Sequence, residues 1–199
     1  MKSKIILSAL ALFCSVMLSS CSGCTAAEPP KPDKVMQSAD MVLENTISAD
    51  REYIYAKYTA DYRWYESQVT LCDYLDAETC DGKIASIVNV FQFVSDTGDP
   101  QVIFSAYEVG KPHSTPAPIT DFFLGDNAIN DEPITLTFSQ ALERCKQANT
   151  ILPHNRHCTL RKPLQPDGFT DHAQYIFGNY KRWVMVDAVT GDVFSGSDT

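Results

Sequence analysis

The stretch from Pro112 to Pro133 constrains this chain more than any other. It holds Pro112, Pro116, Pro118 and Pro133, with Gly125, Asp121, Asp126, Asp131 and Glu132 between them. Proline at that density interrupts regular structure, so helices and strands must be built on either side. A connection this long is a functional loop or a linker between modules. Its acids lack the ligand order and glycine position of a calcium loop. They read as a solvated acidic surface, with Phe122-Phe123-Leu124 packing the loop onto a module.

Before the stretch, Asp33 is suited to cap a helix. Val35, Met36, Ala39, Val42, Leu43 and Ile47 recur at helical spacing and predict a helix over 34–47. Tyr53, Tyr55, Tyr58, Tyr62, Trp64 and Tyr65, then Val69 and Leu71, change the text to aromatic and β-branched. They predict a strand near Tyr53–Tyr58, a turn at 59–61 and a long strand over Tyr62–Leu75. Helix over 49–60 stays open as the alternative, because Asp50-Arg51-Glu52 suits a first helical turn. Lys83–Val94 and Gln101–Val109 are strands, with turn chemistry at Asp96–Pro100 between them. After the stretch, Ile134-Thr135-Leu136 reads as a short strand. Thr137 and Gln140 match a capping box. Phe138, Ala141, Leu142, Cys145 and Ala148 then share one helical stripe. Strand texts follow at Cys158–Pro163, Ala173–Gly178 and Lys181–Asp187. The expected fold is α+β: antiparallel sheets each packed by a helix, in two tandem small modules. These span residues 34–111 and 134–199, joined by the linker 112–133.

The N-terminus has a different character. Lys2 and Lys4 precede an apolar run from Ile5 to Leu18. That run fits a secretory signal and is shorter than the ~20 residues a membrane-spanning helix takes. Leu18-Ser19-Ser20-Cys21 resembles the lipobox of bacterial lipoproteins. The resemblance implies that residues 1–20 are removed, that Cys21 takes on acyl chains and that these attach the protein to a membrane. Ser22 after the cysteine implies sorting to the outer membrane, facing the periplasm. Residues 21–33, small and rich in proline, read as a lipidated tether. Loss of Lys2 and Lys4 takes the formal charge from −9 to −11. An acidic body of that kind is not drawn down onto anionic headgroups. With 44% apolar and 21% charged residues, the composition excludes a disordered chain and a polytopic membrane protein. The acidic balance excludes nucleic acid as a partner.

Seven cysteines are present. Cys14 lies in the signal, Cys21 in the lipobox and Cys24 in the tether. The remaining four form two sequence-local pairs, and an oxidising compartment predicts the disulfides Cys72–Cys80 and Cys145–Cys158. Their spacing is not that of a zinc site.

The second half carries a further resemblance. Its elements are a helix opened by Thr-Phe-Ser-Gln-Ala-Leu, a Tyr-x-Phe strand, and the closing text Trp183-Val-Met-Val-Asp187-Ala-Val-Thr190-Gly191-Asp-Val193. Together they resemble a PepSY domain over about Ile134–Phe194. The family closes on a strand leading into Asp-x-x-Thr-Gly-x-Val, here Asp187, Thr190 and Gly191, with Gly191 free to take positive φ. The resemblance implies a small non-catalytic α+β module of the bacterial envelope, one that binds or restrains peptidases. The insertion Pro163–Asp171 and the Cys145/Cys158 pair depart from its pattern.

No nucleophile elbow, phosphate loop or dinucleotide fingerprint occurs. His154-x-x-His157 lacks the helical zinc-protease order, and no cofactor or metal is expected. The expectation is a lipid-anchored, non-catalytic envelope protein that binds a protein or peptide. A hydrolase using His154 and His157 is the rival reading, and a structural component of an envelope assembly is another.

Overall fold

The computed structural model describes residues 38–58, 62–94, 100–119, 133–148, 151–162, 171–179 and 181–197. The signal, Cys21, Cys24, the tether with Asp33, and Phe122-Phe123-Leu124 lie outside them.

Val42, Leu43, Ile47 and Ile54 wind onto the buried stripe of a single helix, α1 (Ala39–Tyr58), together with Thr46 and Asp50. The Ser38 hydroxyl accepts from the Met41 amide at its start. The strand expected at Tyr53–Tyr58 is therefore corrected to helix, continuous with the preceding turns. Ile54 explains the outcome, because it stays in helical phase with Leu43, Ile47 and Asp50 and is fully buried. Tyr55 is 64% exposed, and Tyr53 lies one turn from Lys57, whose Nζ donates to its hydroxyl at 3.1 Å. Tyr53 and Tyr58 pack against the main core from the flanks of the helix, and the aromatics do not alternate across a sheet.

The strands are β1 (Tyr62–Leu71), β2 (Ile84–Val94), β3 (Pro100–Glu108) and β4 (Ala117–Ile119). Helix α2 (Phe138–Gln147) follows, then β5 (His157–Arg161), β6 (Gln174–Asn179), β7 (Arg182–Asp187) and β8 (Val193–Ser197). They form one antiparallel sheet in the order β4-β3-β2-β1-β5-β6-β7-β8. The separate sheets expected of the two halves are thus one. The cause is the length of β1, which pairs with β2 on one side and, from Glu66 to Thr70, with β5 on the other. The stretch read as a linker also contributes to the sheet, since β4 pairs with β3 from within it. Ile134-Thr135-Leu136 is not a strand. The Thr135 and Leu136 amides both donate to the Ala188 carbonyl at 3.0 Å, and two donors on one oxygen are not a ladder.

Both helices cover the same face, α1 on β2 and α2 on β6 and β7, and they touch one another. The main core lies beneath them, with Phe91, Ile103, Phe138, Leu160, Phe177 and Val184 among its fully buried members. A register shift between Trp64 and Glu66 breaks the alternation of β1. Trp64 consequently joins the main core, and Tyr65 packs with Val90 and Val102 in a second cluster.

Candidate functional site

Polar residues interrupt three strands at positions in phase with buried neighbours: Ser67 in β1, Asn89 in β2 and Ser105 in β3. The register aligns them side by side, on the face that α1 covers. Asp50 of α1, 1% exposed, comes down onto this row. Its Oδ2 accepts from Asn89 Nδ2 at 2.9 Å and from the Ser105 hydroxyl. Ser67 donates to Asn89 Oδ1 at 2.7 Å, and Trp64 Nε1 donates to Ser67 at 3.1 Å. His113, carried in from the segment before β4, places Nε2 3.3 Å from Asp50 Oδ1 and 3.2 Å from Ser105 Oγ. Tyr107 meets its ring edge-on. Burial raises the Asp50 carboxyl above its ordinary value, against the opposing pull of Ser105, Asn89 and His113.

Aspartate, histidine and serine together bring a hydrolytic triad to mind, and the connectivity decides against one. A triad needs the carboxylate on one ring nitrogen and the nucleophile on the other. Here both Asp50 and Ser105 face the same Nε2, and Ser105 already donates directly to Asp50. Ser105 is also fully buried. The group works as a polar pin that fixes α1 and the β3–β4 connection to the sheet.

The histidines singled out by sequence sit elsewhere. His154 is 72% exposed in its side chain, stacks on Tyr74 at 4.1 Å and holds Nδ1 3.0 Å from Asp76. His157 is exposed, with Nδ1 3.4 Å from Thr70 Oγ1. Cys158, the next residue along β5, is buried. Neighbours on a strand face opposite sides, so His157 and Cys158 form no thiol–imidazole pair. No cluster of three or more metal-ligating side chains occurs among the described residues.

Asp187, Thr190 and Gly191 are brought together as a turn. Asp187 Oδ1 accepts from the amides of Val189 at 2.8 Å and Thr190 at 2.9 Å, and Gly191 N donates to the Asp187 carbonyl. Gly191 takes φ +80°. His172 Nδ1 lies 3.1 Å from Asp187 Oδ2. Thr135 Oγ1 donates to the Val189 carbonyl at 2.6 Å, tying the approach to α2 onto this turn. Every one of these contacts is internal, which makes the motif a scaffold.

Of the four cysteines described, Cys72 is exposed and Cys80, Cys145 and Cys158 are buried. Burial pushes the Cys145 thiol up to about 12 and Cys158 well above its ordinary value.

The sheet's two edges differ. β4 has three residues, one of them Pro118, all exposed. Short length and proline are the usual means of blunting an edge. β8 has five residues, Val-Phe-Ser-Gly-Ser, with no proline or charge, and β7 is its only partner among the described strands. Trp183 on β7 packs over Gly196, where a Cβ would meet the indole at 2.3 Å.

Comparison of the chain with protein-family models, with curated proteins and with solved structures finds no match.

Sequence reasoning missed the Asp50 group. Its signal was available: Asn89 is in phase with Ile87 and Phe91, Ser105 with Ile103, and Asp50 with Leu43, Ile47 and Ile54.

Proposed function

We propose that the chain is a lipid-anchored, non-catalytic protein of the bacterial envelope that binds a protein or peptide partner by strand addition at β8. The anchor rests on the lipobox-like Leu18–Cys21. Acyl chains on Cys21 hold the protein to the outer membrane, and the acidic body stands off the headgroups on the periplasmic side. One observation carries the binding reading: β8 is an uncharged, proline-free edge, whereas the opposite edge is short and carries Pro118. Such an edge offers main-chain donors and acceptors to an extended segment. We also read the order α1-β1-β2-β3-β4 followed by α2-β5-β6-β7-β8 as two tandem modules joined edge to edge at β1 and β5. The second is PepSY-like and, by that resemblance, restrains a peptidase.

Two variants test the reading. Cys21→Ser should move the protein from the membrane to the soluble fraction; retention in the membrane overturns the anchor. Ser195→Lys places a charge on the exposed edge. It should abolish specific capture from gently solubilised membranes while leaving the circular dichroism unchanged. Undiminished capture by Ser195→Lys overturns the edge as the binding surface.

A further inference from the structure

The turn between β1 and β2 leans on α2 at a defined place. A Cβ on Gly82 would stand 2.8 Å from Leu142 Cδ2 and 3.9 Å from Phe138 Cε1. Two residues earlier, the Cys80 carbonyl accepts from Lys146 Nζ. Passing from Gly82 to Cys80 therefore follows α2 from Phe138 and Leu142 toward its C-terminal turn. Two residues of chain reach at most about 7 Å, and four residues of helix rise about 6 Å, so the two paths stay abreast. Cys145 lies on that same helical stripe, three residues beyond Leu142. Cys80, Cys145 and Cys158 are all buried in the main core, and Cys145 lies near enough to interact electrostatically with both of the others.

The sequence-local alternatives are less well placed. Leu71, fully buried, faces the main core. Cys72 follows it, keeps a strand-like bond from its amide to the Lys83 carbonyl at 2.9 Å, and is exposed. It points away from the face on which Cys80 is buried. Cys158 belongs to β5, in the layer beneath the helices, and α2 rests chiefly on β6 and β7. Cys158 interacts electrostatically with Cys145 as Cys80 does, so the choice between them rests on the Gly82–Leu142 and Lys146–Cys80 contacts, which lay the β1–β2 turn along α2.

We propose that the oxidised protein carries a Cys80–Cys145 disulfide, which clamps the β1–β2 turn of the first half to α2 of the second, and that Cys72 and Cys158 remain thiols. The bond forms by exchange. One thiolate attacks oxidised glutathione, or the disulfide of an oxidoreductase, giving a mixed disulfide and one released thiol. The second cysteine displaces the remaining thiol. Two cysteine protons and two electrons leave with the two reduced carrier thiols. In the cell this step rests on the envelope location proposed above; the test does not.

The full chain is refolded in a glutathione redox buffer and its free thiols are blocked in denaturant with one alkylating reagent. It is then reduced and labelled with a second reagent, and each cysteine is assigned by peptide mass. The second label is expected on Cys80 and Cys145, with Cys72 and Cys158 carrying the first. Second label shared by Cys72 with Cys80, or by Cys145 with Cys158, overturns the proposal, as does its absence from all four. Reduction should lower the melting temperature of the wild type by roughly 10 °C. Cys72→Ser should keep that reduction-dependent shift and Cys80→Ser should lose it; the reverse pattern also overturns the proposal. Because the redox buffer is supplied, a failure here is distinct from a failure of the Cys21 anchor.

Discussion

Asp50 is the residue on which the first half turns. Its carboxylate satisfies Asn89 and Ser105 where all three residues are buried. Removing it leaves both donors buried and unpaired, so Asp50→Ala should cost about 3 kcal/mol in urea denaturation. Asp50→Asn behaves differently. One amide oxygen can accept both hydrogen bonds, and the amide nitrogen can face His113 Nε2. The sign of the pH effect follows from burial, which raises the folded carboxyl above its ordinary value. A raised acid binds its proton more tightly in the folded state. The stability this gives is fully present below the unfolded value and is lost as pH rises through the folded one. Asparagine imitates the protonated form at every pH. The stability of Asp50→Asn relative to wild type should therefore improve from pH 4 to pH 7. Urea midpoints of the two proteins across that range check this, and an Asp50→Asn midpoint that falls relative to wild type as pH rises counts against it.

At the scale of elements, local chemistry was legible wherever it was self-sufficient. The capping box is the clearest instance: Thr137 Oγ1 accepts from Gln140 N at 3.3 Å, and Gln140 Oε1 accepts from Thr137 N at 2.9 Å. Both bonds belong to one helical turn, so nothing distant can overrule them. Thr137→Ala should destabilise the protein by about 1 kcal/mol and Thr137→Ser by much less. Equal losses in the two variants would mean that the methyl group, not the cap, matters. The strands Ile84–Val94 and Arg182–Asp187 were legible for a similar reason, being rich in β-branched and aromatic residues. Tyr53–Tyr58 was not, because its aromatics suit either a strand or a helix flank and only the phase of Ile54 with distant Leu43 decides. β4 was hidden by Pro118, which an edge strand tolerates and a central one does not. The Asp50 group is hard to read from sequence because its members lie on four elements and the β3–β4 connection, and only the sheet register and the docking of α1 bring them together.

At the scale of the molecule, the two halves are held by more than the β1–β5 ladder. Asp40, in the first turn of α1, accepts from the Ser139 amide at the start of α2 at 2.8 Å, where a carboxylate also suits the helix dipole. The Leu71 amide donates to the Arg156 carbonyl at 2.7 Å and the Leu75 amide to Asn155 at 2.8 Å. Glu66 of β1 pairs with Arg161 of β5 at 3.1 Å, both largely buried. If one half opened alone, it would strip partners from all of these groups and expose the shared core beneath the helices. Unfolding should therefore be a single transition even though the sequence divides at a proline-rich stretch. The two tryptophans allow a direct check, since Trp64 lies in the first half and Trp183 in the second. In Trp183→Phe the fluorescence reports on Trp64, and in Trp64→Phe on Trp183. Within each variant the fluorescence and far-ultraviolet dichroism midpoints in urea should coincide. Midpoints parted by more than about 0.5 M, roughly 1 kcal/mol at a typical slope, would mean that the halves melt separately. The ladder between β1 and β5 would then be a weak seam and not part of one cooperative core.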